Sequence, residues 1–107
     1  MEIVTIEINA TCANYWQIIE QIEALTRPFI LILYYKSFDS NIPFTWRLRA
    51  TMRLRTLIIH DGVKVITVGQ PIFNQWMREW LAMPYIVDSI EEAQKLADKL
   101  KSDLPVN

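Results

Sequence analysis

Asp39 and Ser40 stand just ahead of Arg47, Arg49, Arg53 and Arg55, and these six residues offer the most chemistry in the chain. A phosphate on a serine near a helix start gains from exposed backbone amides and the helix dipole, and Arg47 lies within reach to pair with it. Ser40 is therefore a candidate phosphoacceptor, set against the plainer reading of a loop serine or cap. With Trp46 beside them, the arginines also raise a nucleic-acid surface. At about 100° per residue, Arg49 and Arg53 share one side of a helix while Arg47 and Arg55 point elsewhere. A stripe that tracks phosphates would be tighter. A solvated face or an acidic protein partner fits better, so Asp39, Ser40, Arg47, Arg49 and Arg53 are taken as partner-binding residues, with no nucleic acid expected.

Other reactive residues lead nowhere. His60 and Asp61 are neighbours at a helix end, where side chains rarely face each other, and no nucleophile accompanies them. Cys12 is the only cysteine. It lacks a partner for redox work, and no spacing suits a metal or a cofactor. The expectation is a protein that is not an enzyme. Trp76 and Trp80 lie one helical turn apart beside Phe73 and Met77. Core packing accounts for most of that stripe, and a dimer or ligand contact is the alternative for Trp46, Trp76 and Trp80.

The elements that must hold these residues read in order. Glu2 to Ile8 alternates and forms a first strand. A helix follows from Tyr15, with Asn9 or Thr11 as cap and Ile18, Ile19, Ile22 and Leu25 on its apolar side. Phe29 to Tyr35 is a continuously apolar second strand. Lys36 to Asn41 reads as a polar loop, and Pro43 suits the start of a helix over 44–59. There Phe44, Leu48 and Met52 lie on one stripe, while Leu54, Leu57 and Ile58 drift off it. Gly62 is the stop.

Val63 to Gly69 places apolar groups on both faces, the mark of a strand covered by helices on both sides. Phe73, Trp76, Met77, Trp80 and Leu81 give a third helical stripe. Tyr85 to Val87 is a short fourth strand, and Ser89 with Glu92 forms a capping box for a helix burying Ile90, Ala93, Leu96, Ala97 and Leu100. Residues 102–107 read as a frayed tail. The expected fold is α/β: about four mostly parallel strands in βαβαβαβα order, with helices on both faces. The first and fourth strands suit the edges.

At 107 residues, 51% hydrophobic and with two glycines, the chain is one ordered domain. Its net charge of −1 gives no general pull toward nucleic acid or membrane. The charge is nonetheless uneven: residues 1–26 carry only acids, and residues 27–55 carry six bases against Asp39. MEIVTIEI has no basic leader character, no apolar run approaches the ~20 residues of a membrane span, and a lone cysteine fits a reducing compartment. A cytoplasmic protein without membrane insertion is expected.

The segments VKVITVG, IFNQWMREWLAM and YIVDSIEEAQKLADKL, with FILILYYKSFDS before them, are similar to STAS-type domains, the fold of bacterial anti-sigma-factor antagonists and their SpoIIAA-like relatives. The resemblance implies a regulatory protein-interaction domain acting through the 36–43 loop and the basic helix after it, with a regulator or kinase as partner. Its alternative implication is a small-molecule or lipid-binding module, with Phe44, Trp46, Trp76 and Trp80 lining a pocket. A homodimer is expected as well, because a helix apolar on more than one side needs cover on more than one side.

Overall fold

Phe29 to Leu33 is an unbroken apolar run, and all five residues are buried at the centre of β2 (Phe29–Phe38). The computed structural model describes residues 1–69 and 85–103. β2 pairs in parallel with β1 (Glu2–Ala10) on one side and with β3 (Lys64–Val68) on the other. β3 carries the short β4 (Tyr85–Val87), also in parallel, so the sheet runs β1-β2-β3-β4. The helices are α1 (Tyr15–Glu23), α2 (Phe44–His60) and α3 (Ile90–Ser102). The α/β class, the parallel sheet and both edge strands agree with the sequence. The helix expected around Phe73 to Leu81, with Trp76 and Trp80, lies outside the described residues, as do residues 104–107.

The pleat divides the strands between two cores. Phe29, Leu31 and Leu33 join Ile6, Ile8 and Val65 under α1 and α2. Ile30 and Ile32 join Ile66 and Val68 under α3, where Ala93 and Ala97 are fully buried. Those two alanines, four apart and therefore on one side of the helix, let α3 lie close on the sheet. Helices thus cover both faces.

Several boundaries differ from the sequence reading, for physical reasons. β2 continues through Phe38, past the expected end at Tyr35. A register shift between Ile8 and Asn9 lets Asn9 face Ser37 and Ala10 face Phe38, and the Ser37 hydroxyl donates to Asn9 Oδ1 at 3.1 Å. The loop expected from Lys36 is therefore only 39–43. The start of α1 is organised by Asn14, not by Asn9 or Thr11 alone: Thr11 N–H donates to Asn14 Oδ1 at 2.7 Å, and Asn14 N–H donates to Thr11 Oγ1 at 3.2 Å. Gly62 has φ +70°, the left-handed stop after α2. Gly69 has φ +97°, and a Cβ there would stand 3.3 Å from the Tyr35 carbonyl oxygen.

Ser89 caps α3, its Oγ accepting from Glu92 N–H at 3.2 Å, while the Glu92 carboxylate reaches the Asp88 N–H at 3.4 Å. Replacing Ser89 with alanine is expected to lower stability by about 1 kcal/mol. Urea unfolding measures this, and an unchanged midpoint would show that the cap contributes nothing.

Candidate functional site

α2 is apolar on two sides, and the side that faces inward is not the one its first turns suggest. Ala50, Thr51, Leu54 and Leu57 are buried against the sheet. Phe44 is 64% exposed, Met52 54% and Ile59 48%, with Leu48 at the same outer stripe. The stripe through Phe44, Leu48 and Met52 thus faces solvent, and the residues that drifted off it form the core. Periodicity locates two stripes on such a helix but cannot choose between them; the sheet chooses by shape.

The arginines separate accordingly. Arg49 is exposed beside the outer stripe and has no acidic partner among the described residues. It lines an open groove with Trp16, Met52 and Arg53. Arg53 Nε donates to Glu23 Oε2 at 3.0 Å, its NH2 reaches Glu23 Oε1, and its guanidinium lies 5.6 Å from the Trp16 ring centre. Arg49 and Arg53 therefore do group together.

Arg47 turns the other way. Its guanidinium lies 4.9 Å from the Phe38 ring centre, and its NH2 approaches the Ser40 carbonyl oxygen at 3.5 Å. Ser40 and Arg47 are thus neighbours, but through the backbone. Ser40 itself is exposed. The loop is a tight turn in which Asn41 N–H donates to Asp39 Oδ1 at 2.8 Å and Ile42 is anchored in the core. No side chain caps the start of α2.

Trp46 packs within the chain, stacked on Tyr15 at 6.1 Å and tilted against Trp16 at 5.9 Å. This places it near the Phe38 end of the loop, since Tyr15 meets Phe38 edge-on at 6.2 Å. Asp61 pairs with Arg27 at 3.4 Å and His60 is exposed, so the two do not form a dyad. Cys12 is an exposed free thiol. Among the described residues no three His, Cys, Asp or Glu side chains cluster to hold a metal, and no helix is long and apolar enough to cross a membrane.

A cavity of about 60 Å³ lies between α1, α2 and the sheet. Ile18, Ile19, Ile22, Leu33 and Leu54 are among its aliphatic lining, and neither Phe44 nor Trp46 borders it. Tyr15, Tyr35, Thr51 and Arg47 also line it, as do Glu23 and Arg53. No motif signals this cavity, because it arises from the distance between two helices.

Burial pushes the Tyr15 phenol up to about 12, against the opposing charge of Arg47. Burial raises Tyr35 further still, and Tyr15 adds to the effect. A tyrosine that holds its proton more tightly when folded contributes stability that is fully present below the unfolded value of ~10 and is lost as pH rises through the folded value. Unfolding is therefore expected to set in above pH ~10 as the phenols ionise. Circular dichroism with tyrosinate absorbance follows it, and Tyr35→Phe moves the onset upward. An onset indifferent to that change would contradict the assignment.

The strand order 1-2-3-4 contains no point at which the order reverses, so the described strands lack the crevice where open α/β sheets bind ligands. No family model, curated protein or solved structure matches this chain.

Proposed function

We propose that this chain is a non-enzymatic regulatory domain that docks an acidic, amphipathic segment of another protein on the outer face of α2. The observation that carries the reading is the exposed stripe of Phe44, Leu48, Met52 and Ile59, flanked by Arg49. At 1.5 Å per residue the stripe runs for about 22 Å, enough for a partner helix of roughly four turns. Apolar anchors beside an uncommitted cation call for a partner with apolar residues at helical spacing and acids at their side.

The 39–43 loop leads into α2, and Arg47 reaches the Ser40 carbonyl oxygen from the helix. A docking role is the one the resemblance to STAS domains implies. A second copy of the chain is the competing occupant. A symmetric α2 pair, however, would bring the arginines of both copies together, at a cost in like-charge repulsion.

The test is selection from a displayed library of helical peptides, with the full chain as bait. Enriched sequences are expected to combine apolar residues at i, i+3 or i+4 and i+7 with acids beside them. Binders without acids would sink the reading. Light scattering runs alongside: a two-chain mass that falls to one chain in Phe44→Glu would assign the face to a second copy instead.

A further inference from the structure

The cavity between the two helices holds a feature that neither packing nor the docking face explains. Arg47 borders it, and the Nε of that arginine is fully buried with no hydrogen-bond partner among the described residues. No carboxylate of the described residues pairs with it. An arginine cannot shed its charge, and a buried donor left unpaired is costly. The structure thus keeps a cationic side chain with a buried, unpaired donor on the lining of a space whose other walls are mainly aliphatic.

Four kinds of occupant can be compared. A cation is repelled by Arg47. A neutral hydrocarbon fills the aliphatic part and leaves Nε unsatisfied. Water satisfies Nε, but Ile18, Ile19, Ile22 and Leu54 give the remaining waters too few partners to hold them. An anion with an apolar tail suits both the donor and the aliphatic walls. A second charge on that anion would lie among the isoleucines, so it carries one charge only. Tyr15 and Tyr35 both line the cavity, and a tyrosine hydroxyl suits a planar carboxylate as a further donor.

We propose that this cavity is a binding site for a small aliphatic monocarboxylate. Its carboxylate accepts from Arg47 and the two tyrosines, and its tail lies among Ile18, Ile19, Ile22 and Leu54. The size follows from the volume. At ~10–15 Å³ per water-sized group, the space of about 60 Å³ takes roughly four to six heavy atoms, the scale of propionate or butyrate. Glu23 and Arg53, paired with each other at the lining, join α1 to α2 across this space. A longer chain therefore has to part that pair or push the helices apart. Arg47 and Arg49 stand about 200° apart on the helix, so this site is separate from the docking face, and either can fail alone.

The experiment titrates the full chain with sodium butyrate, butylammonium chloride and 1-butanol, three probes of one length and different charge. Tryptophan fluorescence reports, because Trp16 and Trp46 both pack on Tyr15. Amide chemical shifts of Tyr15, Tyr35 and Arg47 locate the site. Butyrate is expected to saturate with shifts at those three residues and butylammonium to give none. Butanol should bind about tenfold more weakly, the loss of one charge-assisted hydrogen bond.

Arg47→Met keeps most of the side chain's length and should erase the preference for butyrate over butanol, while Arg47→Lys should keep part of it. Equal affinity for butyrate and butanol in the unaltered chain would overturn the proposal, and so would binding of butylammonium. Failure of butyrate to saturate would leave a void holding water only, which also ends it. The comparison of the three probes decides the matter even if Arg47→Met does not fold.

Discussion

Ile32→Ala is expected to lower the unfolding free energy by about 2–5 kcal/mol, the range for removing a buried aliphatic side chain. Ile32 is fully buried on the central strand β2, in the core closed by α3. Its neighbours there are Ile66 and Val68 of β3, with Ala93 and Ala97 above. The two alanines are too short to reach into the space that the substitution opens, and the sheet backbone is held on both sides by parallel pairing. Collapse of the cavity is therefore restricted, which favours the upper half of the range. Chemical denaturation measures it, with Met52→Ala as the control on an exposed position. A loss below about 1 kcal/mol would mean that the α3 face is looser than described.

The second large effect falls on binding. With a peptide selected as above, Phe44→Glu combined with Met52→Glu is expected to weaken affinity by about 2–4 kcal/mol, or roughly thirtyfold to a thousandfold. Phe44 and Met52 are the two most exposed large apolar residues of the outer stripe. Each substitution removes an anchor and sets an acid against an acidic partner. Thermal stability should hardly change, since both positions face solvent and glutamate is a good helix former. At Phe44 the new acid even lies in the first turn of α2, where the helix dipole favours it. Calorimetry and thermal melts separate the two outcomes: lost affinity with lost structure would not support the docking face.

The strands were readable because their composition admits little else. Phe29 to Leu33, and Val63, Val65, Ile66 and Val68, set apolar groups on both sides of an extended chain without helical spacing, and a sheet covered on both faces is what such runs require. The edges were readable too, from the acids of β1 and the brevity of β4. The Ser89 cap and the stop at Gly62 rest on local chemistry and appear where that chemistry put them, although the Glu92 carboxylate meets the Asp88 N–H in place of that of Ser89.

What the sequence concealed depends on choices made between elements. The register shift after Ile8 lengthens β2 by three residues, and only its pairing with Asn9 and Ala10 makes this possible. The inward side of α2 is set by fit against Leu31 and Leu33, because both of its sides carry enough apolar residues to be buried. That choice leaves the stripe of Phe44, Leu48 and Met52 as the exposed surface. Arg47 and Arg49 stand apart as the helical spacing indicates, Arg47 against Phe38 and Arg49 at the surface. Trp46, large and in the first turn of α2, stays within the chain because Tyr15 and Trp16 offer it rings to pack on.

The methyl group of Met52 gives the most direct measurement of the docking face. In a chain carrying isotope-labelled methionine methyls, that signal should move as a selected acidic peptide is added. The move should saturate with the stoichiometry of one peptide per chain, while the amides of α3 stay still. A complex that forms with the Met52 methyl unmoved, or that shifts α3 instead, would contradict the assignment of α2 as the docking surface.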